Sequence, residues 1–266
     1  CQKCQECPAP VVCPECAPVC QDSCCPVVEE CALTVPEALS YKDDFNVFFA
    51  LSLNKQRSVG INSAGLESWL TSPFSLGFMI GADYYFTEHF SAYTNYSFTK
   101  MGFDDTQPGI ILLQDENTAS KLMFGARYRF SKYFTGDAHL GVKQDFTLYS
   151  DVIPYAIADR FWHGLFGAGL GYHIWDNRRI AFDGITGMDV YFPNTKALYK
   201  SNLGFAINTE LKTTFKYKPE FFISFRYEYF RLGLSNFEGQ SGHFFGFNFG
   251  VNLRTKMLRS DFWNRS

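Results

Sequence analysis

After residue 31 the chain has no cysteine: all nine lie within Cys1–Cys31. The rest of the sequence therefore has no disulfide and no thiolate metal site to hold it together. Charge of one sign is lacking too. A formal net charge of −3 and a pI near 6.0 give no footing for nucleic acid or for a polybasic membrane-surface role. Long apolar runs are also missing, because Gly, Asp or Asn interrupts every candidate well short of the roughly eighteen residues a transmembrane helix needs. What the chain does have is aromatic side chains, 29 Phe, 15 Tyr and 4 Trp, at a mean hydropathy of only −0.13.

Alternation explains that combination. In FSLGFMIGADYYF (74–86), Leu76, Phe78, Ile80, Ala82 and Tyr84 share one phase, and Ser75, Gly77, Met79, Gly81 and Asp83 the other. A period of two is the signature of a strand with one apolar face. It recurs at 47–53, 90–98, 121–130, 134–146, 165–175, 180–192, 203–217, 222–230 and 244–254, predicting ten strands. Thr87-Glu88-His89, Ser131-Lys132-Tyr133, Asp176-Asn177-Arg178-Arg179 and Lys218-Pro219-Glu220 form tight turns. Longer links, about 55–73, 103–119, 149–161, 194–202 and 233–241, alternate with them.

Short turns at one end and long loops at the other fit an all-β, ten-stranded antiparallel transmembrane β-barrel. Aromatic girdles belong where the wall meets the interface. Phe86, Phe90, Phe130, Phe134, Trp175, Tyr217 and Phe221 flank the short turns, and Phe98, Trp162, Phe192, Tyr229 and Phe245 stand at the opposite ends. A soluble sandwich or lipocalin-like barrel would have to pack all these rings into an interior too narrow for them. Both termini then fall at the short-turn, periplasmic end, and the expected location is the outer membrane of a Gram-negative bacterium.

Across residues 44–256 the chain resembles small bacterial outer-membrane barrels of the OmpA-like or omptin-like kind. Its last strand, FFGFNFGV (244–251), resembles the signal read by the barrel-assembly machinery, an expected partner beside membrane lipid, although the tail at 257–266 follows it. OmpA-like domains usually have eight strands. The omptin resemblance implies an Asp/His pair at the outer mouth, but Asp137-Ala138-His139, the one D-x-H present, lies close to a short turn and hence at the wrong end. Asp104, Asp105, Asp151, Asp159 and His163 lie nearer the outer mouth without the family's spacing. His163 and His243 stand at the level a lipid-modifying enzyme would use but have no motif partner, and each reads as an interfacial or lumenal hydrogen-bonding residue. No catalytic residue and no cofactor is assigned.

Residues 1–31 form a separate Cys/Pro-rich segment, joined to the barrel by a linker at 32–43. A mature Cys1 resembles the acylated cysteine of a bacterial lipoprotein, the alternative being an arbitrary start of numbering. Cys4, Cys7, Cys13, Cys16, Cys20, Cys24, Cys25 and Cys31 are then an even set suited to disulfides in an oxidising periplasm. The C-x-x-C spacing of Cys4, Cys7, Cys13 and Cys16 keeps metal ligation as the alternative. Several thiols share a three-residue phase that polyproline II would place along one side of a rod, where they pair more readily with a neighbouring subunit than with each other. A disordered, locally disulfide-bonded linker is the competing reading.

Inside the barrel the polar phase supplies Lys121, Arg127, Arg129, Lys143, Lys212, Arg226 and Arg254 against Asp83, Asp137, Asp183, Asp189, Glu210 and Glu228. Opposite charges in a narrow interior pair, which favours a plug over a pore. Inward Gly167, Gly169, Gly171, Gly246 and Gly250 leave room for facing Arg and Tyr side chains or for a thin file of water. Leu66, Trp69, residues 110–113, Val152, Ile153, Tyr155 and Ile157 make the long loops unusually apolar, as for folding over the mouth or meeting another surface. Small outward residues, Gly136, Ala138, Ala168 and Gly184, mark a possible subunit contact. The expected function is structural: a lipid-anchored barrel, homo-oligomeric, that organises or stabilises the outer membrane. A narrow porin-like channel, a barrel enzyme acting on lipid or peptide, and a loop-mediated adhesin or receptor are the alternatives.

Overall fold

The computed structural model describes residues 42–62, 67–103, 105–106, 111–112, 116–149, 155–177, 179–194, 201–234 and 237–255. The Cys/Pro-rich segment, the linker up to residue 41, the tail at 257–266 and the loop residues Leu66, Asp104, Ile110, Leu113, Asp151, Val152 and Ile153 lie outside the described residues. So does the first unit of the chain, Cys1–Ser40.

Ten long strands build the second unit: β1 (Asp44–Asn62), β2 (Glu67–Tyr85), β3 (Phe90–Gly102), β4 (Glu116–Arg129), β5 (Phe134–Tyr149), β6 (Tyr155–Asp176), β7 (Ile180–Tyr191), β8 (Ser201–Phe215), β9 (Glu220–Leu234) and β10 (Phe237–Arg254). Each pairs antiparallel with its neighbours in sequence, and β1 also pairs with β10 from Asn46↔Arg254 to Asn62↔Phe237, so the sheet closes. Two short pieces lie off this path: Asp105–Thr106 pairs with β2, and Ile111–Leu112 runs parallel to the start of β6. The expected strand count and alternating connections are found.

The wall is inside out compared with a soluble barrel. Leu51 is 58% exposed, Leu76 73% and Leu140 60%, whereas Ser52, Asn54, Ser58, Asp83 and Asp189 on the other phase are buried. So continuous an apolar exterior is stable only against lipid. The aromatic girdle at the short turns is present, with Phe86 packing on Phe90 at 5.7 Å between ring centroids and on Tyr84 at 4.8 Å. The turns are tied by their own first residues. Thr87 Oγ1 accepts from the backbone N–H of His89 and Phe90, Ser131 Oγ from Tyr133 and Phe134, and Asn177 Oδ1 from Arg179 and Ile180. This is the local chemistry expected of Ser, Thr and Asn in turns.

The long loops are shorter than the sequence indicated. β1 continues to Asn62 and β2 starts at Glu67, inside a link expected to span 55–73. β4, β6 and β10 likewise begin at Glu116, Tyr155 and Phe237. The reason is physical. Above the apolar band both faces of a strand meet water or polar groups, as at Gln56, Arg57 and Ser58, so the hydropathy alternation fades while backbone pairing goes on.

Between β4 and β5 the backbones approach so closely that a Cβ at Gly141 would collide with the Leu122 carbonyl oxygen. No flexible side chain is available to yield. Gly141→Val should therefore lower the folded fraction after refolding into detergent, read as loss of the faster-migrating folded band in unheated electrophoresis, while Ala138→Val on the outward face should leave that band intact.

Candidate functional site

The lumen has three levels. In the middle, Lys121 of β4 donates to Asp189 of β7 at 2.6 Å, and Asp189 has no exposed side-chain surface. His139 of β5 bridges two carboxylates, with Nε2 2.9 Å from Asp189 and Nδ1 2.7 Å from Asp137. Both ring nitrogens thus lie at hydrogen-bond distance from a carboxylate oxygen. Arg127 continues the chain to Asp137 at 3.5 Å and to Asp83 of β2 at 3.0 Å, and Asn46 of β1 closes it on Asp83 at 3.2 Å. Lys121, Arg127 and His139 thus interleave with Asp83, Asp137 and Asp189.

A second group lies beside it. Lys143 reaches Glu228 at 2.8 Å and Asp145 at 3.0 Å, and Arg226 reaches Glu228 at 2.7 Å. The Tyr191 hydroxyl donates to Glu228 at 3.2 Å, and its ring lies 5.1 Å from the Lys143 ammonium. Two cations again meet two carboxylates. Arg254 pairs with Glu220 at 3.3 Å nearer the short turns.

Toward the long loops the lumen turns apolar. Phe161, Leu165, Tyr191, Ala206, Phe230 and Leu232 form one buried cluster, and Leu70, Met101, Phe103 and Phe146 another. Gln240 of β10 donates across the lumen to the Phe146 carbonyl of β5 at 3.0 Å. Strands that are not neighbours in the wall are thereby joined, and the end of β5 leans over the charged middle. His163 lies under this cap, 3% exposed, stacked on Tyr191 at 4.5 Å between centroids. Neither of its ring nitrogens has a hydrogen-bond partner among the described residues, which corrects the expectation that it would be a hydrogen-bonding residue.

Toward the short turns the lumen opens into a cavity of about 520 Å³, whose lining runs from Lys121 and His139 down to the turn residues Glu88, His89 and Lys132. Above this cavity lies a smaller pocket of about 50 Å³, lined by Gln56, Ser120, Lys121, Lys143, Asp145 and Glu228 among others.

Of the charges expected in the lumen, Asp83, Lys121, Arg127, Asp137, Lys143, Asp189, Arg226, Glu228 and Arg254 are joined by these ion pairs. Asp183 pairs with His173 instead, at 2.5 Å. Lys212 sits 4.2 Å over the Phe222 ring, and Arg129 and Glu210 line the cavity. Sequence reasoning missed His139, Tyr191 and Asp145 as members. The inward phase 135, 137, 139, 141, 143, 145 could have found His139 and Asp145. The glycines make room for partners other than those expected: Gly167 for His139 and Asp189, Gly250 for Phe222. On the outer face Gly136 lies under the Phe130 ring and Gly184 under Tyr172, so only Ala138 and Ala168, register partners, are exposed small sites. The Asp137-x-His139 pair is buried in its network near the middle of the lumen rather than presented at the long-loop mouth.

No family model matches the sequence, and no curated protein is recognisably similar to it. Among solved structures the fold is similar to the outer membrane protease OmpT from Escherichia coli (8% identity, 81% of this chain, 97% of that chain, TM-score 0.46). It is also similar to an outer membrane channel from Pseudomonas putida F1 (9%, 80% and 96%, TM-score 0.42) and to Ail, the attachment invasion locus protein of Yersinia pestis (11%, 80% and 99%, TM-score 0.34). At such identities the likeness is one of barrel fold and carries no activity across.

Asp189→Asn leaves Lys121 and His139 short of a counter-charge in a buried site. Losing one partner of a buried pair costs about 3–5 kcal/mol, so urea unfolding from detergent should shift to markedly lower denaturant. The paired change Lys121→Met with Asp189→Leu should recover most of that loss, because no uncompensated ion remains beside its partner.

Proposed function

We propose that this outer-membrane β-barrel is a structural, non-conducting wall element that stabilises the outer membrane as a homo-oligomer, with its long loops outward and its termini periplasmic. The carrying observation is the upper lumen, where two ion-paired networks lie beneath an apolar cap. A permeating ion would have to displace groups that already satisfy one another, and it would gain no net field from them. In the same reading Cys4, Cys7, Cys13, Cys16, Cys20, Cys24, Cys25 and Cys31 join neighbouring subunits through disulfides, and Ala138 and Ala168 lie where walls can approach closely. The barrel-assembly machinery inserts the chain, and no cofactor takes part.

One observation favours a second reading. The cavity of about 520 Å³ is a vestibule that a narrow channel would need. Conductance separates the two. In a planar bilayer the protein should show no steady single-channel current, whereas Lys143→Ala with Glu228→Ala, which removes the long side chains beneath the cap, should add small openings. Steady current through the unaltered protein would replace the structural reading with the channel. Light scattering in detergent should give a multimer; its collapse under reductant assigns assembly to the cysteines, and a monomer in both conditions would sink the oligomer.

A further inference from the structure

The outward wall changes chemistry with height on three adjoining strands. On β1 the outward side chains run Phe45, Val47, Phe49, Leu51 and Leu53, and then become Lys55 and Arg57. On β9 they run Phe221, Ile223, Phe225, Tyr227 and Tyr229, and then Arg231; on β10, from Leu253 through Phe249 and Phe247 to Phe245, and then His243. Phe45 to Leu53 covers about 27 Å along the strand at ~3.4 Å per residue, or about 20 Å of height at the usual barrel tilt. That is close to the apolar band of such barrels. The cations begin where the hydrocarbon ends.

Register brings them together. Arg57 is opposite His243, His243 opposite Tyr229, Lys55 opposite Phe245, and Arg231 opposite Ser241. Tyr227 Oη and His243 Nδ1 share a hydrogen bond of 2.9 Å, which ties the exposed imidazole to Tyr227. The Arg57 guanidinium lies 5.8 Å from the Trp69 ring. Lys55, Arg57, Arg231 and His243 are all exposed, and among the described residues no carboxylate pairs with any of the three cations. Elsewhere on the wall the outward Lys100 has its own partner, Glu116, at 2.7 Å. Glu67, the outward carboxylate of β2, stands higher, opposite Ile61.

We propose that Lys55, Arg57, Arg231 and His243 bind the phosphate-bearing headgroup of a membrane lipid in the leaflet at the long-loop end. Arginine suits the task because its planar fork meets two phosphate oxygens at once. Below the headgroup, Phe225, Phe245 and Phe247 form an aromatic surface for acyl chains. That this leaflet is the outer one rests on the orientation adopted above; the site itself does not depend on the closed lumen.

The test uses the full chain purified in neutral detergent. Native mass spectrometry with a phosphorylated glucosamine lipid (lipid A) and its dephosphorylated form should show retention of the phosphorylated lipid alone. Arg57→Gln with Arg231→Gln should weaken that retention by about tenfold or more, as expected for lost charge-assisted contacts, while the folded band in unheated electrophoresis persists. Lys100→Gln should leave retention unchanged. Equal retention of the dephosphorylated lipid, undiminished binding by the double variant, or displacement of the lipid by equimolar inorganic phosphate would overturn the assignment. Bilayer conductance, which tests the closed lumen, should be the same in the double variant as in the unaltered chain.

Discussion

Everything in this molecule depends on one backbone pairing, that of β1 with β10. In hydrocarbon an unpaired N–H or C=O costs several kcal/mol, and an open ten-stranded sheet would leave two whole edges of them. Closure removes both, and it also creates the interior in which buried charge must find partners. The register from Asn46↔Arg254 to Gly60↔Gln240 runs without interruption, with the one irregularity beyond it, at Ile61/Asn62. The same register sets Arg57 beside His243 on the outer face and Ser52 beside Asn248, at 2.6 Å between side chains, on the inner one.

Given a closed wall, the interior follows from the cost of burying ions. Carboxylates and cations from β2, β4, β5, β7 and β9 converge because none can reach bulk water at mid-height, and Arg127, Asp137, His139, Lys143, Asp189 and Glu228 each answer more than one neighbour. His139 holds the first network together: it joins Asp137 on its own strand to Asp189 two strands away. Replacing such a network with an apolar filling of equal volume is often neutral or stabilising, whereas removing one partner alone leaves an uncompensated buried charge. Strand pairing shifted by one residue would turn all of these charges to lipid.

The parts legible in sequence were those governed by alternation. Ten strands, the tight turns and the lumen-facing identity of Asp83, Lys121, Arg127 and Asp189 follow from a period of two inside the apolar band. Strand ends were not legible, because past Leu53 the chain is polar on both phases and pairing leaves no hydropathic trace. Who meets whom across the lumen was not legible either. The contact between Lys121 and Asp189 depends on how far successive strands are sheared, which no single segment encodes. Phe146 shows a third limit: it has the outward parity of Leu140 and Val142, yet it is 1% exposed because the end of β5 leans inward against Phe103. His243 looked like an orphan in sequence, and its partner Tyr227 comes into view only with the β9–β10 register.

The cavity below Lys121 and the apolar clusters above it divide the inside of the barrel unequally. In the closed-lumen reading proposed above, water, small ions and protons in the cavity exchange through the short-turn end, so its composition and its electrical potential follow the solution on that side. In that reading a voltage across the membrane is dropped over the capped half, across Phe161, Leu165, Phe230 and their neighbours. By the same reading, the hollow part of this bilayer-spanning chain is an inlet of one compartment, and a water-soluble reagent reaches His173 and Asp183, which line it, from the short-turn face.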